Sequence, residues 1–211
     1  MKKTLIIAIC LFSINGLYAQ DFVKNGNYVT VGYGFNPWSV NAVKAYKGYT
    51  GYKHFGIGPI LVSYERGITD ILGIGRIGVG GSVGFSTHSS SWSALSYDII
   101  GNPPVLVAST DEYKYNWTEI AIMAKAAYHF EFDIPKMDVY AGVGLGYNVV
   151  IDKYKLNGTV VTNTNSTISR PSPFAHQEFV GIRYYFSDLF GVYAEAGYGQ
   201  SVINGGAVLS F

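Results

Sequence analysis

Apolar residues recur at every second position in eight stretches of the chain, and no stretch carries a convincing 3.6-residue repeat. A period of two places side chains on one face of a β-strand, so the pattern predicts eight strands. In chain order the apolar sets are Val29, Val31, Tyr33, Phe35; Ile60, Val62, Tyr64; Ile77, Val79, Val83, Phe85; and Ile120, Ile122, Ala124, Ala126, Tyr128, Phe130. Then come Val139, Ala141, Val143, Leu145, Tyr147; Val180, Ile182, Tyr184, Phe186; Val192, Ala194, Ala196, Tyr198; and Ile203, Ala207, Leu209, Phe211. No charge interrupts a set. Arg66 and Glu178 share the apolar parity and are read as lying just beyond it.

The alternate positions differ in kind. They are rich in glycine and carry six charges: Glu65, Glu119 and Glu195 against Arg76, Lys125 and Arg183. Three acids facing three bases among small residues suit a narrow interior in which opposite charges pair. The expectation is one network that includes Arg76 with Glu119.

Between the apolar sets, RGITD, EFDIPKM and SDLFG read as short turns. Residues 36–56, 86–112 and 152–173 read as long connections, with a short one near 200–203. Long and short connections therefore alternate along the chain. Strands of about 10 residues account for roughly 80 residues, and the connections take up the rest.

The amino terminus has the form of a secretory leader. Lys2 and Lys3 precede an apolar core from Leu5 to Phe12, and Ala19 supplies a small residue at the cleavage position. Residues 1–19 are expected to be removed, leaving one domain over 20–211. Cys10 is the only cysteine and lies inside that leader, so neither a disulfide nor thiol chemistry is expected. The remaining balance is thirteen basic against fourteen acidic residues. Without a basic stripe, nucleic-acid binding is excluded. Charged residues make up only 14% of the chain, against about 25% in a typical soluble domain.

Two arrangements fit this alternation. In a water-soluble barrel the apolar face is the core; in a membrane barrel it faces lipid. The glycine-rich alternate face makes a poor water-facing surface. The aromatics decide further, because nearly every apolar set ends on one: Phe35, Tyr64, Phe85, Phe130, Tyr147, Phe186, Tyr198 and Phe211. With strands alternating up and down, these residues form two rings flanking an aliphatic band, as the two faces of a bilayer favour. The expected fold is all-β, an eight-stranded antiparallel up-and-down transmembrane β-barrel.

Signal sequence, glycine-rich alternating strands, the YERGITD turn and the terminal AVLSF together resemble the eight-stranded outer-membrane barrels, the family of OmpA N-terminal domains and OmpX, in a form similar to Bacteroidota envelope proteins. The resemblance covers residues 20–211. It implies a monomer in the cell outer membrane, surrounded by outer-membrane lipids and lipopolysaccharide. It also implies that the barrel-assembly machinery reads Ala207, Leu209 and Phe211.

Gly73, Gly75 and Gly78 match a dinucleotide-binding fingerprint, but they fall in a strand rather than before a helix. The sequons at Asn116, Asn157 and Asn165 carry little meaning in a bacterial chain. Tyr46, Tyr49 and Tyr52 recur at period three and could form a sugar-stacking patch or rest on the upper ring. Histidine offers the one route to catalysis: His88 lies near Ser90, and His176 lies two residues from Glu178. No cluster has metal-ligand spacing, and no cofactor is expected. The reading is a protein without enzymatic activity, serving envelope integrity or surface contact through long extracellular loops. A lipid A-modifying enzyme and a narrow channel remain as alternatives.

Overall fold

Backbone pairing joins all the alternating stretches into one antiparallel sheet. The computed structural model describes residues 22–35, 47–132, 134–161 and 173–211. The expected leader, Tyr46 and Asn165 lie outside these residues. The strands are β1 (Asn27–Phe35), β2 (Thr50–Gly67), β3 (Gly75–Ile100), β4 (Val105–Phe130), β5 (Met137–Leu156), β6 (Thr159–Val160), β7 (Phe174–Tyr185), β8 (Phe190–Tyr198) and β9 (Ile203–Ser210). Among the described residues there is no helix.

The sheet closes on itself. β9 pairs with β1 from Tyr28↔Ser210 to Phe35↔Ile203, so the last strand meets the first. Asn27 and Phe211 exchange two backbone hydrogen bonds, of 2.9 and 3.0 Å, at the end of that seam. Closure removes the unpaired strand edges that a flat sheet leaves open. The ring is also staggered. Pairs followed from Val31 through β2, β3, β4 and β5 reach Phe174 on β7. Pairs followed the other way, through β9 and β8, reach Tyr184, ten positions further along β7. Such a stagger means that the strands run tilted to the axis of the ring.

Three connections at the end where β1 begins are short: residues 68–74, 131–136 and 186–189. At the opposite end the structure departs from the sequence reading. Residues 86–112 are not a loop. β3 and β4 continue in unbroken register from Phe85↔Ile120 to Ile100↔Val105 and turn only at residues 101–104. The reason is local. Thr87–Ile100 and Val105–Trp117 keep a two-residue alternation and are rich in Ser, Thr, Tyr and Val, so strand pairing satisfies their backbone as well as water does. β5 likewise runs on to Leu156, where Asn157 and Gly158 (φ 49° and 82°) reverse the chain into the two-residue β6. β6 pairs only with β5, and for this reason the sheet has nine strands rather than the eight expected.

The two faces are inverted relative to a water-soluble protein. Apolar side chains of the alternating sets point outward and stay exposed: Val31 is 51% exposed, Leu145 57% and Val180 60%. The interior holds the buried groups, in three tiers. Phe22, Tyr28, Tyr185 and Val208 fill the end near the short turns; Ala127, Tyr140 and Phe179 lie further in; Trp92, Tyr115 and Trp117 fill the extension at the far end.

Candidate functional site: charges buried inside the ring

Inward parity carries charged side chains from four strands to one place. Arg183 of β7 pairs with Glu65 of β2 and, at 3.4 Å, with Asp138 of β5. His129 of β4 completes the circuit: Nε2 is 2.8 Å from Glu65 and Nδ1 2.8 Å from Asp138. This cycle of four crosses the interior and ties together strands that are not neighbours in the sheet. Arg183 and His129 are both 2% exposed at the side chain, which is tolerable only because each charge is paired and hydrogen-bonded. The Phe22 ring stacks on His129 and Tyr28, covering the cycle at the end of the ring where β1 begins.

A second group lies deeper. Lys125 of β4 is 3.5 Å from Glu195 of β8, the Tyr140 hydroxyl donates to Glu195 at 2.9 Å, and the Asn204 amide donates at 3.3 Å. Lys125 also lies 4.1 Å from the centre of the Phe179 ring. The groups are linked through Tyr140, because the Arg183 guanidinium sits 4.5 Å above the Tyr140 ring whose hydroxyl holds Glu195. Glycine makes this possible at Gly181: a Cβ there would collide with the Tyr140 ring.

Of the six charges expected to form one network, the structure brings together Glu65 with Arg183 and Lys125 with Glu195. It does not bring Arg76 to Glu119. Arg76 is opposite His129, near the short-turn end, and bonds Glu131 at 3.4 Å and the Phe22 carbonyl. Glu119 is opposite Ser86, near Gln200 and Pro59 in a separate small recess. Sequence reasoning missed Asp138, which lies between the EFDIPKM turn and the set that begins at Val139 and shares the inward parity of Tyr140. It also gave no role to His129, which shares the inward parity of Lys125.

The aromatics expected as rings fall at both ends of the outward face. Phe35, Phe85, Tyr147 and Tyr198 lie toward the extension, and Tyr64, Phe130, Phe186 and Phe211 toward the short turns. All but the half-buried Phe130 are exposed. The Tyr64 hydroxyl donates to Asn27 at 2.8 Å. Of the assembly-signal residues, Ala207 is opposite Val31 and Leu209 opposite Val29 in the closing seam, and Phe211 follows it.

Of the two histidine pairs seen in the sequence, the first separates and the second stays together. Ser90 does not meet His88. Its hydroxyl is 2.9 Å from His54 Nδ1, delivered by β2, and the His54 and His88 rings stack at 5.7 Å. His88 and Ser90 are buried inside the extension, above the upper aromatic ring. Burial and the neighbouring His54 hold the His88 pKa below the usual imidazole value. Gly56 leaves the space that the His88 ring occupies. His176 and Glu178, 3.9 Å apart, point outward. Among the described residues no group of three or more His, Cys, Asp or Glu could hold a metal ion.

No protein-family model and no curated protein matches the chain.

Proposed function

We propose that the chain is an outer-membrane protein: an eight-stranded β-barrel of the OmpA/OmpX type, with β6 as an appendage, secreted with a cleaved leader. The observation that carries this reading is the inversion of the two faces. A closed ring presents a continuous apolar wall to the outside and keeps its charges within, as a barrel in lipid requires. The aromatic residues at both ends of that wall mark the two bilayer interfaces.

The paired charges favour a closed lumen over a channel. Glu65, Arg183, Asp138 and His129 span the interior from four strands, and bulky aromatics fill it on either side. The barrel acts as a scaffold without catalytic activity. Its working part is the β3–β4 extension, which carries surface contacts outside the cell. Apolar side chains crowd its tip, with Leu95, Tyr97, Ile99 and Leu106 all exposed, as on surfaces that meet a partner. Its neighbours there are the surrounding lipids, lipopolysaccharide and an extracellular ligand.

Fractionation tests the reading. The protein should be recovered in the outer membrane and migrate faster on gels before boiling than after. Recovery in the soluble periplasm, with a single gel mobility, would refute it.

A further inference from the structure

The outward wall is not uniformly convex. A groove of about 810 Å³ crosses it obliquely from Ile77 and Tyr128 to Tyr198, where small side chains, Ala126, Ala141 and Ala196, leave the wall thin. Its lining is almost wholly apolar, with one exception, Glu178.

Glu178 had been read as lying beyond the apolar band. Register corrects this. Glu178 is opposite Val143 on β5, the centre of the Val139–Tyr147 set, and opposite Tyr198 on β8, at the upper aromatic ring. The tilt of the ring allows both, and places the carboxylate between the middle of the band and its upper edge. The side chain is 58% exposed on that face. Its one ionic neighbour among the described residues is His176 at 3.9 Å, whose ring sits between Phe174 and Tyr198.

An ionised carboxylate on a lipid-facing wall is costly, and such residues mark functional sites when a partner completes them. Among the described residues no lysine or arginine pairs with this one, which leaves the bilayer as the source of a partner. An anionic headgroup is repelled. A quaternary ammonium brings charge without an N–H donor. A primary ammonium brings both, with three donors for the carboxylate lone pairs.

We propose that this groove is a lipid-binding site: it holds one acyl chain of a lipid whose headgroup carries a primary ammonium, and Glu178 receives that ammonium. The site rests on the membrane reading above. The apolar trough fixes the chain, Glu178 selects the headgroup, and His176 adds a second polar contact at the rim.

The test uses the mature protein folded into vesicles that contain phosphatidylethanolamine, phosphatidylcholine and phosphatidylglycerol with identical acyl chains. Native mass spectrometry then reads which lipid stays bound. The ethanolamine lipid should be retained about tenfold over each of the others, equivalent to about 1.4 kcal/mol. Glu178→Gln should abolish that preference, and Ala196→Phe, which fills the trough, should lower retention of all three lipids. Equal retention by folded wild-type protein, or a preference that survives Glu178→Gln, would overturn the proposal. A protein that never takes the fast-migrating folded form in vesicles would overturn the membrane reading and the site with it. Gel migration distinguishes that failure from loss of selectivity.

Discussion

Arg183 pairs with two carboxylates inside the ring. Its removal leaves Glu65 and Asp138 with His129 alone to share between them, and breaking a buried pair costs about 3–5 kcal/mol. Arg183→Ala should therefore lower the urea midpoint of the folded protein sharply. Adding Glu65→Ala to it should cost less than the sum of the two single changes, because the first has already broken the Glu65 pair. Strictly additive losses would mean the two are solvated separately. His88 predicts a pH response of opposite origin. Its folded pKa is depressed, so the unfolded form binds the proton more readily. The stability it contributes is fully present above the ordinary imidazole value, near 6.5, and falls as pH drops through and below that value toward the depressed one. Amide hydrogen exchange at Thr87–Ser91 should accelerate between pH 7 and pH 5 after correction for intrinsic rates. His88→Phe should remove that acceleration, whereas a wild-type profile in the mutant would assign it elsewhere.

The β3–β4 hairpin is two structures in series. Its lower part is built into the ring wall; above Ser93 on β3 and Tyr113 on β4, no strand among the described residues flanks it. Replacing Tyr97–Ala108 by Asn-Gly joins Ser96 to Ser109 across a two-residue turn that suits their register. The shortened protein should keep its heat-dependent gel shift and lose adhesion to surfaces that the full-length protein binds. Loss of folding would show that the ring needs the tip. This element also shows where sequence reading stopped. Within the band, an exposed apolar wall on one side and a packed interior on the other go with strict alternation, so the strands were legible. Beyond it the alternation continues, with His88, Ser90 and Trp92 buried inside, but the residues are small and polar, so Ser-rich stretches such as THSSSWSALS look like loop although they pair as strand. Asn157-Gly158 carried a hairpin signal, but it was read only as part of a sequon. Asp138 and His129 were visible by parity. What parity cannot show is which inward residues share a height, because that depends on the stagger of the ring; hence the expected Arg76–Glu119 pair that the structure separates.

At the scale of the whole molecule, the ring serves one inversion: an apolar wall outside, paired charges within, and the last strand paired with the first. The meaning of that wall separates the two environments. In a bilayer, Val31→Arg should cost about 2–4 kcal/mol and reduce folding yield in vesicles. Ile99→Arg, on the tip and 73% exposed, should leave folding yield unchanged. In a water-soluble ring both changes would be harmless, since both residues are exposed. The most direct measurement reads the wall residue by residue. The chain's one cysteine lies within the expected leader, so single cysteines can be placed along β1, β5 and β7 of the mature protein and spin-labelled. Paramagnetic relaxation of each label by oxygen, which concentrates in lipid, is then compared with relaxation by a water-soluble nickel complex. The account predicts strong oxygen contact at Val31, Val143, Leu145 and Ile182, and little at the inward neighbours Thr30, Gly144 and Gly181, with a period of two. Strong relaxation by the nickel complex at Val31, Val143, Leu145 and Ile182 would place the apolar wall in water and contradict it.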